Sequence, residues 1–268
     1  MTERYVTVRG LRLRVREAGS GDPVLLINGL GGCLESWQPL IDRLPGRRLV
    51  SVDHPGTGLS QVPSAALSMK ACADLYAGVL DELGHSRVDV LGFSFGGAVA
   101  QEFAHRHPAR TRRLVLVATA FGLGSVPADP ITLFLASNPL RYFSRNARRW
   151  SAPLIYRGRV GRQPEILGTE LRGVNAHAAD VRGVQYQVSA YSRWSSGPWL
   201  HTLTMPTLVL GGGEDPMAPA INSALLANRI PNAKLVIVPD GGHLFLFDSA
   251  EKVAPMLEEF MSAGVVAA

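Results

Sequence analysis

The segment Gly92-Phe93-Ser94-Phe95-Gly96-Gly97 follows an apolar run ending at Leu91 and opens a helical pattern at Ala98-Val99-Ala100-Gln101. A serine with glycine two positions to either side, set between strand and helix, is the context in which a sharp turn presents a hydroxyl. The spacing is steric: without Cβ atoms at the flanking positions, strand and helix can approach closely. Ser94 then stands at a helix N-terminus, whose dipole favours a developing anion. The chemistry this suits is nucleophilic attack on a carbonyl carbon, and a serine attacks only when a base takes its proton.

The base expected from chain order is His243, in Gly241-Gly242-His243-Leu244 after the run Leu235–Val238. The other histidines are weaker candidates. His105 and His107 end the helix after Ser94, His85 sits in a helix-to-strand loop, His177 and His201 fall in or beside an irregular segment, and His54 follows a different strand. The acid that orients an imidazole is expected after the run at 207–211, in Gly212-Gly213-Glu214-Asp215-Pro216; Asp215 is preferred and Glu214 is the near alternative. Asp240 is too close to His243 in sequence, and Asp53 follows another strand. Acyl transfer also needs donors for an oxyanion. The amide of Phe95 is one; the loop Asn28-Gly29-Leu30-Gly31-Gly32 supplies the second, expected at Leu30.

These loops need a sheet that brings them to one edge. Short apolar runs bounded by turn residues occur at Val24–Ile27, Leu49–Val52, Val88–Leu91, Leu114–Val117, Leu208–Leu210 and Leu235–Val238. Such runs suit strands buried on both faces, hence a parallel sheet. Tyr5–Val8 and Leu11–Glu17, which alternates apolar and basic residues, read as antiparallel strands, the second half-exposed. Helical patterns lie near 68–83, 97–106, 219–229 and 250–262. The order predicts a mostly parallel eight-stranded α/β sheet with helices on both faces.

The rhythm breaks over 121–200, which predicts an α/β core of 1–120 and 201–268 carrying a helical cap, or lid, insertion of 121–200. The insertion holds Phe134, Tyr142, Phe143, Trp150, Tyr156, Tyr186, Tyr191, Trp194 and Trp199, and is expected to cover the sheet edge where open α/β sheets bind ligands. It also holds ten arginines against four acids, a charge of +6, while the remaining 17 bases and 18 acids sum to −1. A basic excess confined to one segment, with no helix-turn-helix, zinc-finger or RNA-binding pattern, argues against nucleic acid as partner. It reads as the solvated outer face of the insertion, or as a contact for an anionic partner or product. Cys33 and Cys72 form no disulfide framework and no zinc spacing. The first residues lack the apolar run of a secretory signal and no stretch is long enough to span a membrane, so a soluble cytoplasmic protein is expected.

Taken with Asp53-His54-Pro55-Gly56-Thr57-Gly58-Leu59-Ser60, these motifs resemble the α/β-hydrolase fold family over nearly the whole chain. Two features depart from its pattern: Asn28 stands where many members have His, and both neighbours of Ser94 are Phe. Within the family the chain resembles the intracellular depolymerases of medium-chain-length polyhydroxyalkanoates. The segments that carry this are Asn28-Gly29-Leu30-Gly31 with Leu34-Glu35, Ala118-Thr119-Ala120, Asn138-Pro139-Leu140-Arg141-Tyr142, Ala152-Pro153-Leu154-Ile155-Tyr156, Trp199-Leu200-His201, Arg229-Ile230-Pro231-Asn232-Ala233 and Gly242-His243-Leu244-Phe245-Leu246.

The resemblance implies a cofactor-free, metal-free hydrolase of 3-hydroxyacyl oligoesters, cytoplasmic and associated with polyester granules, which the basic lid could contact. An apolar ester would lie among Asn28, Gly29, Phe93, Trp150, Tyr156, Trp194 and Leu244. Serine at 94 argues against dehalogenases and epoxide hydrolases of this fold, which use a carboxylate nucleophile. Small-ester hydrolases, lactonases, thioesterases, carbon–carbon bond hydrolases, perhydrolases and non-catalytic binding members stay open.

Overall fold

The computed structural model describes residues 1–137, 145–177 and 179–263. The segment Asn138-Pro139-Leu140-Arg141-Tyr142 lies outside the described residues, as do the side chains of Arg145, Arg148 and Arg149.

Eight strands form one sheet: β1 (Thr2–Val8), β2 (Leu11–Ala18), β3 (Pro23–Ile27), β4 (Arg48–Val52), β5 (Val88–Phe93), β6 (Thr111–Val117), β7 (Thr207–Gly212) and β8 (Ala233–Val238). Their order is β1-β2-β4-β3-β5-β6-β7-β8, antiparallel at β1/β2 and β2/β4 and parallel elsewhere. The predicted eight-stranded, mostly parallel α/β sheet is therefore observed. Two-residue periodicity divides its side chains between two cores. Leu25, Ile27, Val88, Val90, Leu114 and Leu116 face one side with Tyr76 and Phe103, whereas Val24, Leu26, Leu91, Val115 and Val117 face the other with Trp37 and Phe245.

Helices flank both faces. They are α1 (Gln38–Ile41), α2 (Met69–Leu83), α3 (Phe95–Arg106), α4 (Pro130–Ser137), α5 (Arg145–Tyr156), α6 (Gly158–Arg162), α7 (Val181–Ser192), α8 (Ala220–Arg229), α9 (Phe245–Asp248) and α10 (Ala250–Ser262). The Ser68 side chain caps α2 by accepting from the Ala71 amide, and Gly84, at φ +76°, ends it. Among the described residues, the four helices between β6 and β7 belong to the irregular segment read from the sequence.

Two strand expectations are corrected. Arg14 and Arg16 on β2 point inward and are only 5% and 6% exposed. Arg14 is tolerated there because Glu3, Glu35 and Asp53 all bind its guanidinium, and Glu3 and Glu35 also bind Arg16. Leu235 and Ile237 on β8 are exposed rather than buried on both faces, because β8 is an edge strand.

Candidate active site

β5 ends directly beneath the turn that carries Ser94. The serine adopts φ +53°, ψ −119°, a region sparsely populated by residues with a Cβ. Glycine makes the turn feasible. A Cβ on Gly92 would meet the Gly96 carbonyl and Ala100, and one on Gly96 would meet the carbonyls of Ile27 and Asn28. The Ser94 amide donates to the Val117 carbonyl at 2.9 Å, and the Thr119 hydroxyl donates to the Ser94 carbonyl at 2.7 Å. Two bonds from the β6 end thus hold the strained residue.

His243, in the loop after β8, approaches from the opposite side. Its Nε2 lies 3.1 Å from Ser94 Oγ and its Nδ1 lies 2.8 Å from Asp215 Oδ2. A carboxylate only accepts, so Nδ1–H donates to Asp215, and Nε2 is left to accept the Ser94 proton. Asp215 Oδ1 accepts from the amides of Met217 and Ala218 at 2.8 and 2.9 Å, so each of its oxygens has a donor. Both the His243 and Asp215 side chains are buried. This arrangement can transfer a proton from hydroxyl to imidazole and stabilise the imidazolium formed.

The alternative acids point elsewhere. Glu214 pairs with Arg162, Asp240 pairs with Lys252, and Asp53 is tied to the amides of Leu34 and Leu59. Three of the alternative histidines are also separate: His85 binds Glu17, His107 binds Asp74, and His105 stacks on Trp199. His54 is buried beside Tyr76, Cys72 and Phe95, and burial pushes its pKa down to about 3, so the ring is neutral. Burial pushes the Cys33 thiol up, which disfavours a second nucleophile.

The loop after β3 folds back over Ser94. Asn28 shapes it: Nδ2 donates to the Cys33 carbonyl at 2.8 Å and Oδ1 accepts the Gly29 amide at 2.9 Å. The Gly32 amide donates to the Gly29 carbonyl, and the Gly31 amide donates to Gln187 Oε1. Among the described residues the Leu30 amide has no acceptor. Phe95, the first residue of α3, has no intrahelical acceptor either. A carbonyl oxygen above Ser94 is the group such amides could receive.

A cavity of about 330 Å³ opens over Ser94 and His243. Asn28, Gly29, Phe93, Tyr156 and Leu244 line it, together with Val174, His177, Val181, Val184 and Met217. Phe93 packs against both His243 and Phe247, with ring centroids 5.2 and 5.0 Å apart. Two expected lining residues do not reach it. Trp150 is 72% exposed on α5. Trp194 is buried, donates from Nε1 to Glu102 Oε2 at 2.7 Å, and packs edge-on against Trp199. An indole N–H needs a partner when buried, and Trp194 finds one on α3 rather than over the cavity. Of the segment's aromatics, Trp194 and Trp199 therefore build core, Trp150 stands exposed and Tyr156 faces the cavity beside the aliphatics Val174, Val181 and Val184. Those aliphatics, His177 and Gln187 carry no local sequence signal, because long-range folding alone brings them to the loops.

Among the described residues no cluster of His, Cys, Asp and Glu could hold a metal ion, and no helix is long and apolar enough to cross a membrane. Among the described residues, four arginines of the basic segment have acidic neighbours: Arg157 with Asp129, Arg159 with Glu170, Arg162 with Glu214 and Arg182 with Asp180.

Residues 24–256 match the model of the alpha/beta hydrolase family, and the chain belongs to that family. It is a hydrolase by that membership, as the serine turn and its partner loops led us to expect. It is 42% identical over 245 residues to the poly(3-hydroxyalkanoate) depolymerase of Ectopseudomonas oleovorans, covering 89% of this chain and 84% of that one. It is 31% identical over 281 residues to a 2-hydroxymuconate semialdehyde hydrolase of Pseudomonas putida, covering 97% and 94%. Among solved structures it is similar to the enol-lactonase of Burkholderia xenovorans LB400, with a TM-score of 0.82, 25% identity and coverage of 97% and 100%.

Proposed function

We propose that this chain is a serine hydrolase of carboxylic esters, acting on polyesters or oligoesters of medium-chain 3-hydroxyalkanoates. The observation that carries the ester chemistry is the continuous Ser94–His243–Asp215 hydrogen-bond chain at the floor of a largely aliphatic cavity. The substrate class is supported by the identity to the poly(3-hydroxyalkanoate) depolymerase.

In this reading His243 Nε2 takes the Ser94 proton as Oγ attacks the ester carbonyl carbon. The amides of Leu30 and Phe95 hold the oxyanion. The C–O bond then breaks, and His243 returns the proton to the leaving alkoxide. Water, deprotonated by His243, attacks the acyl-enzyme, and the released acid leaves Ser94 protonated again. Asp215 stays ionised throughout. Residues 121–200 act as a cap on a core formed by 1–120 and 201–268. The basic face of that cap meets the granule surface in the cytoplasm.

The test is hydrolysis of p-nitrophenyl esters from acetate to laurate and of a 3-hydroxyoctanoate oligomer, wild type beside Ser94→Ala. Activity that peaks from hexanoate to decanoate, extends to the oligomer and vanishes in the variant supports the proposal. Preference for acetate and butyrate with no oligomer cleavage would instead assign a small-ester or lactone hydrolase. Activity that survives in Ser94→Ala would overturn the nucleophile.

A further inference from the structure

Gln187 lies on α7, 156 residues from the loop it touches, and its Oε1 accepts the Gly31 amide at 3.0 Å. Gly31 adjoins Leu30, whose amide has no acceptor among the described residues. The side chain is 2% exposed. Its orientation is fixed, because a flipped amide would set Nε2–H against the Gly31 N–H. Nε2 itself has no partner among the described residues. A position selected only for stability would hold an apolar side chain there, since an unpaired buried amide is unfavourable. A polar side chain kept at such a cost points to function.

The helix bearing Gln187 is held against the core. A Cβ on Gly183 would strike the Gly56 backbone, and a Cβ on Gly56 would strike Gly183, so the two chains touch. The Asp180 amide donates to the Gly56 carbonyl at 3.2 Å, and the Asp180 side chain caps the helix by accepting from the Arg182 amide at 2.8 Å. Gln187 is thus presented over Gly31 from a fixed start. Val184, one turn earlier, stands where a Cβ on Gly31 would meet it at 3.6 Å.

Asn28 already fixes the first part of the loop through the Gly29 amide and the Cys33 carbonyl. The Gly29 carbonyl accepts from Gly32 across the turn. Gly31, at φ +71°, is the point at which the loop could rotate, and Gln187 takes its amide. We propose that Gln187 is a positioning residue for the oxyanion site: by binding Gly31 it holds the neighbouring Leu30 amide toward the carbonyl oxygen above Ser94. The inference rests on the serine-esterase reading given above. It makes α7 part of the catalytic apparatus without contact between Gln187 and substrate.

The experiment compares wild type, Gln187→Met and Gln187→Glu on p-nitrophenyl octanoate, with a trifluoromethyl ketone of matching chain length as an oxyanion mimic. Met keeps the length and removes the acceptor; Glu keeps a carbonyl-type oxygen. The expected result is a kcat lowered about tenfold or more in Gln187→Met, with KM within about twofold and ketone affinity lowered by the same factor as kcat/KM. Gln187→Glu should retain most of both. Unchanged kcat in Gln187→Met, a change confined to KM, or lost kcat with full ketone affinity would each overturn the proposal. Hydrogen exchange of the Gly31 amide in wild type gives a measurement independent of variant folding: protection is expected, and exchange at the free-peptide rate would overturn it. Wild type without Ser94-dependent esterase activity would instead remove the underlying reading.

Discussion

The His243 amide donates to the Tyr156 carbonyl at 2.7 Å, so the last residue of α5 fixes the loop that carries the imidazole. The approach needs glycine: a Cβ on Gly242 would meet the carbonyls of Tyr156 and Arg157. Gly242→Ala should therefore displace His243 without cutting either of its side-chain bonds directly. A shift on the order of 1 Å is enough to lower kcat/KM about 100-fold. Steady-state kinetics beside a thermal melt checks this; wild-type kinetics in the variant would show that the Tyr156 contact does not position the imidazole.

Ser94, His243 and Asp215 should behave as one unit. Ser94→Ala and His243→Ala should each lower kcat by several orders of magnitude, and the double variant should be no worse than either, because the second loss removes nothing still in use. Asp215→Asn should cost about 10⁴-fold: the Met217 and Ala218 amides keep the asparagine oxygen on their side, so its NH2 faces Nδ1 and donates to it, which leaves the imidazole proton on Nε2, the wrong tautomer for a base. Multiplicative losses in the double variant would contradict a shared proton path.

The cavity wall makes a separate prediction. Val184 and Met217 border it, whereas Trp150 stands exposed on the outer side of α5. Val184→Phe should shorten the preferred acyl chain by filling apolar volume, each excluded methylene being worth about 0.8 kcal/mol of lost burial. Trp150→Ala should leave the p-nitrophenyl ester profile unchanged. Chain-length profiles of both variants decide it; a shifted optimum in Trp150→Ala would mean that the Trp150 side chain reaches the substrate.

How far the sequence could be read follows from range. The β3, β5, β6 and β7 runs, the glycine spacing around Ser94 and the loop positions of Asp215 and His243 are local signals, and the structure brings those residues together. Arg14 and Arg16 misled because alternation alone cannot report three carboxylates arriving from the paired strand β1 and from the segments after β3 and β4. Trp150 and Trp194 misled because an aromatic-rich segment does not disclose which ring faces a cavity and which finds a core partner such as Glu102. Gln187 was illegible, since its meaning depends on Gly31, 156 residues away.

The buried ionisable groups predict an acid-sensitive fold. Burial alone lowers the His54 pKa to about 3, against about 6.5 for an exposed histidine. Below about pH 6.5 the unfolded chain takes up a proton on His54 that the native state refuses, so stability falls as pH falls through this window and levels off near 3. The slope from this group is about 1.4 kcal/mol per pH unit. Glu35 acts lower down. Burial raises its carboxyl, but the hydrogen bonds from Arg14, its own backbone amide and Cys33, with the Arg14 charge, together outweigh that and bring it to about 2, so its contribution is lost from about 4.5 downward. His54→Gln should flatten the decline between about pH 6.5 and 5 while leaving the steeper loss below about 4.5 in place. Urea unfolding of both proteins across that range is the measurement; parallel curves would show that His54 is protonated in the native state and that its burial does not set the acid limit.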